Sequence, residues 1–169
     1  MGDDSPKRLW APWRMVYLRE GIKEEGCIFC KRIEQPPERD RENLVLFRGD
    51  RCFVILNRYP YTSGHLMVAP YAHVANIEDL DDETSHELFE LLKRSVLALK
   101  RAYSPQGFNI GVNLGECAGA GVKDHLHFHV VPRWGGDTNF MPVIGDVRVV
   151  SQALEETYDD LKKVFGGMR

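Results

Sequence analysis

An α+β domain built on a five-stranded, mainly antiparallel sheet is the architecture this chain predicts. Three observations carry that expectation. Five short apolar or alternating runs are bounded by turn residues, one long stretch repeats apolar residues every three to four positions, and a second such stripe lies near the C-terminus. Strands grouped on either side of a single long helix point to strands that return antiparallel rather than to repeating βαβ units.

Residues 1–24 read as an N-terminal extension, polar over 1–8 and then rich in aromatics around Pro12, with Trp10, Trp13 and Tyr17. Such a segment needs a surface, either the domain's own core or a neighbouring subunit. Residues 25–169 are expected to form one domain, because 169 residues bury one core but are short for two. Residues 34–40 read as a loop, since Pro36 and Pro37 stand among charges. The runs 44–48 and 52–56, separated by Gly49-Asp50, have the grammar of a β-hairpin. A third strand is expected over 65–69, between Ser63-Gly64 and Pro70.

Asp81 to Thr84 then introduce Leu88, Leu91, Leu92, Val96, Leu99 and Tyr103, the stripe of an amphipathic helix of about five turns that ends near Ser104-Pro105. Strands four and five fall at 108–114 and 125–132, joined by a glycine-rich loop over 115–123. Leu154, Tyr158, Leu161 and Phe165 mark a C-terminal helix with Ser151 as its N-cap. An exposed sheet edge invites pairing, and a dimer that continues the sheet is one solution.

With 22 Lys and Arg against 25 Asp and Glu, the net charge of −3 gives no basic field, so nucleic acid is not the expected partner. No apolar run approaches the ~18 residues of a membrane span, and the N-terminus lacks a signal peptide's apolar core; a cytoplasmic protein is expected. Of the four cysteines only Cys27 and Cys30 have a telling spacing, and a disulfide framework is not expected.

The chemistry concentrates in His125-Leu126-His127-Phe128-His129-Val130-Val131. At strand spacing the three imidazoles share one face and Leu126, Phe128 and Val130 the other. A strand used only for packing has no reason to bear three polar groups on one face. Two chemistries want such a row: ligation of a catalytic zinc, or nucleophilic attack by a neutral imidazole on phosphorus. The row alone does not choose.

That run matches the signature of the histidine triad (HIT) superfamily, and the resemblance extends further. Asn57 to Pro70, with Asn57 eight residues before His65, resembles the family's second block; Asn113-Leu114-Gly115 resembles the strand end before the triad; Cys27-Ile28-Phe29-Cys30 resembles the N-terminal motif of many bacterial members. The resemblance implies a HIT-like fold and a nucleotidyl transferase or hydrolase acting on the α-phosphate of a nucleotide. His127 would be the nucleophile that carries a nucleotidyl group, and His129 would bind the phosphate oxygens. Asn57 would meet the ribose, Ile28, Phe29 and Leu56 the base, and Asn113, at the strand end before the triad, would bind substrate. The loop 118–122, with Ala120 and Gly121, suits phosphate because small residues let backbone N–H groups approach oxygens closely. A structural Zn²⁺ would sit on Cys27, Cys30, His73 and His125, closed to water and organising the site, with His65 as a scaffold residue nearby.

Residues 131–140 and 9–14 resemble a bacterial branch that includes diadenosine tetraphosphate (Ap4A) phosphorylases, which split Ap4A with inorganic phosphate into ATP and ADP. Trp134 matches a nucleotide-contacting position there. This chain has Ala120-Gly121 where that branch often shows Gly-Ser, so one side-chain hydroxyl is missing from the loop. The expected partners are a nucleotide, phosphate and a second copy of the chain, in a homodimer or tetramer. A hydrolase of dinucleoside polyphosphates or nucleoside phosphoramidates, and a zinc-stabilised nucleotide-binding module, are the alternatives.

Overall fold

The computed structural model describes residues 26–137 and 152–168. The N-terminal extension, the end of the 131–140 segment and Ser151 lie outside those residues.

Among the described residues one five-stranded sheet, in the order β1-β2-β3-β5-β4, forms the frame. Its strands are β1 (Val45–Arg48), β2 (Cys52–Leu56), β3 (Leu66–Pro70), β4 (Gly107–Val112) and β5 (Phe128–Arg133). All four pairings are antiparallel. β2 and β3 are buried along their whole length, so both sheet faces are covered there and the strands read as unbroken apolar runs.

Four α-helices and three short 3₁₀ turns complete the described chain, the α-helices being α1 (Ile28–Ile33), α2 (Asp40–Asn43), α3 (Asp82–Tyr103) and α4 (Leu154–Gly166). Asp81 caps α3, its carboxylate accepting the Thr84 N–H at 2.7 Å, and these bonds hold its pKa below the usual carboxylate value. Ser104, in a left-handed conformation before Pro105, ends the helix. Leu88, Leu91, Leu92 and Leu99 of α3 meet the sheet in one core with Phe53, Val54 and Leu66, and Leu161 and Phe165 of α4 join it. The cap position of α4 is Ala153, which offers no side-chain acceptor.

Two features depart from the sequence expectation. The 34–40 stretch is not a plain loop, because Pro37 starts a 3₁₀ turn that leads into α2. Asp40 is buried there and takes Arg48 Nε at 3.0 Å and Nη2 at 2.8 Å. Arg48 also donates to the carbonyls of Ile33 and Gln35, so it closes the C-terminal end of α1. Secondly, β5 begins at Phe128 rather than at His125. Leu126 N–H donates to the Val74 carbonyl at 2.7 Å, and the His125 carbonyl accepts from the His127 side chain, so neither joins the ladder.

Gly64 shows how tightly the sheet is covered above the site. Its φ is +81°, and a Cβ there would stand 2.9 Å from Leu99 of α3. A glycine is needed to bring His65 to the start of β3 under the long helix.

Candidate active site

His127 is the pivot of the site. It is 6% exposed, with its ring centroid 4.9 Å from Phe29 and 5.0 Å from His129. Its Nδ1 lies 2.8 Å from the His125 carbonyl, which can only accept, so Nδ1 carries the proton. Burial, which outweighs that hydrogen bond, holds the His127 pKa below the ordinary imidazole value. The neutral ring therefore presents Nε2 as a bare lone pair, the state a nucleophile requires.

A second imidazole pair sets His129 the opposite way. The Tyr61 N–H donates to His65 Nδ1 at 3.1 Å, and Asn57 Nδ2 approaches the same atom at 3.4 Å. Since Nδ1 accepts, His65 is neutral and protonated on Nε2, which stands 3.0 Å from His129 Nδ1. His129 Nδ1 then accepts, and its proton sits on Nε2 as a donor. Adjacent members of the row are thus presented as an acceptor and a donor.

His125 is wholly buried and its Nε2 donates to the Pro70 carbonyl at 2.9 Å. Its Nδ1 is left for a group of ligands: Cys27 Sγ at 3.3 Å, Cys30 Sγ at 3.6 Å and His73 Nδ1 at 3.3 Å. Cys30 Sγ and His73 Nδ1 are also 3.3 Å apart, and all four ligand atoms lie within 4.8 Å of one another. Bonds of about 2.0–2.3 Å to nitrogen and sulfur give a tetrahedral zinc site edges of roughly 3.3–3.8 Å. The donor set and most of its spacings fit such an ion, and the cluster could hold a metal. Burial, then the Cys27 thiol, push Cys30 up to about 11, so loading a metal there expels a proton.

Local structure explains the assembly. Cys27 is the N-cap of α1 and Cys30 lies one turn on, which puts both thiols at one end of the helix. His73 follows β3, and His125 is tied to the same turn through Leu126. Phe29, on the face of α1 that enters the core, packs against both His125 and His127, at 5.1 and 4.9 Å.

The other expected residues are placed unevenly. Leu56 is fully buried and Phe29 nearly so, whereas Ile28 is half-buried. Asn57 accepts the Tyr59 N–H at 2.9 Å and turns its amide NH₂ to His65. Asn113 directly follows Val112, the last residue of β4, which pairs with Phe128. Ala120 and Gly121 lie in the loop beyond β4, where the Ala120 N–H reaches the Gly115 carbonyl at 3.3 Å. Trp134 is not brought to the triad of its own chain. It stands past the far end of β5, roughly 16 Å along from His129 at strand rise, with its indole N–H on the Tyr103 carbonyl. Sequence reasoning assigned no part to Tyr61, whose ring stacks on His65; stacking across a loop leaves no periodic trace.

A buried, uncharged imidazole presenting a bare nitrogen, beside another presenting a proton, defines an imidazole-based group-transfer site on an antiparallel α+β scaffold. A model described as the HIT domain matches residues 38–136, and the chain belongs to that family. A Mycobacterium tuberculosis protein named AP-4-A phosphorylase is 44% identical over 159 residues, covering 91% of this chain and 82% of that one. The Bacillus subtilis protein named Protein hit is 31% identical over 116 residues, 69% of this chain and 77% of its own. Among solved structures, a zinc-bound histidine triad family protein from Mycobacterium smegmatis superimposes with a TM-score of 0.67 at 26% identity, covering 85% of this chain and 95% of that one.

Proposed function

We propose that the chain is a nucleotidyl transferase that cleaves Ap4A with inorganic phosphate to ATP and ADP through a nucleotidyl group carried on His127. The observation that carries this reading is the bond from His127 Nδ1–H to the His125 carbonyl, which leaves Nε2 bare. Nε2 attacks the α-phosphorus of one adenosine, and the bond to the bridging oxygen breaks to release ATP. Phosphate then attacks the same phosphorus, releasing His127 and forming ADP. The His129 Nε2–H donates to the oxygens that gain charge at each step. Asn57 meets the ribose and Asn113 lies on the substrate side, half-buried Ile28 borders the base while buried Phe29 and Leu56 back its pocket, and Ala120 and Gly121 let backbone N–H groups approach the phosphate chain closely.

Cys27, Cys30, His73 and His125 hold Zn²⁺ in this reading. With four protein ligands the ion supplies structure, and no step passes through it. The 44% identity to the AP-4-A phosphorylase supports phosphorolysis over hydrolysis. Among the described residues no helix is long and apolar enough to cross a membrane, and reduced thiols at Cys27 and Cys30 suit the cytoplasm.

Product analysis tests the reaction. Ap4A incubated with phosphate should give ATP and ADP, and without phosphate cleavage should nearly stop; equal rates of AMP formation in both would make the protein a hydrolase. A second copy of the chain is the proposed partner, pairing at β4, an edge strand whose Ile110 is 49% exposed. Ile110→Lys should then shift the mass in sedimentation towards the monomer, and an unchanged mass would remove β4 from the interface.

A further inference from the structure

The loop between β2 and β3 carries a ring, that of Tyr61, which lies against the imidazole pair and has no task in the reaction above. Tyr61 touches His65 in two ways. Its backbone N–H donates to Nδ1 at 3.1 Å, and its ring stacks on the imidazole with centroids 4.9 Å apart and planes 17° from parallel. The same ring stands 6.3 Å from that of His129, so it borders both members of the imidazole pair.

Its place is fixed from several sides. Asn57 accepts the Tyr59 N–H, His65 N–H donates to the Thr62 carbonyl, and the Thr62 hydroxyl donates to the Pro132 carbonyl of β5 at 2.9 Å. Loop and triad strand are thereby tied together. A buried imidazole still has a soft rotation about its Cβ–Cγ bond, because torsions ending on a flat ring have broad minima. A parallel ring at stacking distance closes that rotation.

We infer that Tyr61 is a positioning residue for His129: ring and N–H together hold His65 so that its Nε2–H meets His129 Nδ1, which turns the His129 Nε2–H towards the phosphate. The inference rests on the reading of His129 as the phosphate-side donor. Tyr61 acts through His65, which it meets with its ring face and its backbone N–H. Phenylalanine should therefore replace it and leucine should not.

The test compares wild type, Tyr61→Phe and Tyr61→Leu as full-length, zinc-loaded protein, by ¹⁵N NMR of the histidine side chains and by steady-state kinetics with Ap4A and phosphate. Wild type and Tyr61→Phe should both show His65 and His129 protonated on Nε2 alone. Tyr61→Leu should show averaged tautomers at both residues, and its kcat should fall by about ten- to a hundredfold with KM unchanged. A wild-type His65 protonated on Nδ1 overturns the inference. So does a Tyr61→Leu variant with wild-type tautomers or kcat, and so does a Tyr61→Phe variant as impaired as Tyr61→Leu. The NMR spectra need no substrate, so they decide the positioning role even if Ap4A proves to be the wrong nucleotide.

Discussion

His127→Ala is expected to slow Ap4A turnover by on the order of 10³-fold or more, with the fold and the affinity for nucleotide retained. The size of the effect follows from the absence of a substitute among the neighbouring imidazoles. His125 has Nε2 on the Pro70 carbonyl and Nδ1 in the cysteine cluster. His65 has Nδ1 on the Tyr61 N–H and Nε2 on His129. His129 accepts at Nδ1 and carries its proton on Nε2, so it cannot attack phosphorus without rearrangement. His127→Gln should be as inactive as the alanine variant while filling more of the space beside Phe29, which separates lost chemistry from lost packing. Circular dichroism checks the fold and calorimetric titration the affinity. A His127→Ala protein of full activity would end the covalent mechanism.

Removing the metal is the second large effect. Chelation, or Cys30→Ser, is expected to lower Tm by about 10 °C, roughly 3–4 kcal/mol for a domain of this size, and to slow turnover as well. The cluster joins α1, the turn after β3 and the triad segment, residues that are 43 to 98 positions apart along the chain. The slowing comes through His125. Its side chain belongs to the cluster that would hold the metal while its carbonyl holds His127 Nδ1–H, so freeing the side chain would loosen the bond that keeps the nucleophile's Nε2 bare. Scanning calorimetry with and without chelator, alongside elemental analysis, reads both parts. Protein purified free of metal, with a Tm that ignores added zinc, would contradict this assignment.

Periodicity made the frame legible. The Leu88 to Tyr103 stripe and the Asp81 cap place α3, Gly49-Asp50 places the hairpin, and all five strands lie where apolar runs lie. α1 was not legible, because six residues around a Cys-x-x-Cys have little helical preference of their own. Its C-terminal end is closed by Arg48, itself held on buried Asp40, and no local pattern announces that contact. β5 starts three residues later than the sequence pattern for a related reason. Alternation of histidine and apolar residues continues upstream of Phe128, but side-chain and loop bonds take the backbone groups that a ladder would use.

In the site, residue identity outran geometry. The four sulfur and nitrogen ligands were readable as a set through the family resemblance, and they do converge. Division of labour within the row was readable only through the same resemblance, and its physical basis was not. It depends on which nitrogen meets which backbone group: a carbonyl on His127, an N–H on His65. Trp134 shows the limit from the other side, since a strand of six residues separates the end that holds the triad from the end that holds the indole.

The stereochemical course at the transferred phosphorus tests the central claim most directly. An Ap4A analogue made chiral at an α-phosphorus by one sulfur, cleaved with phosphate, should yield product with configuration retained, because attack by His127 and then by phosphate inverts it twice. Inversion would mean a single direct displacement and would contradict a nucleotidyl group carried on His127.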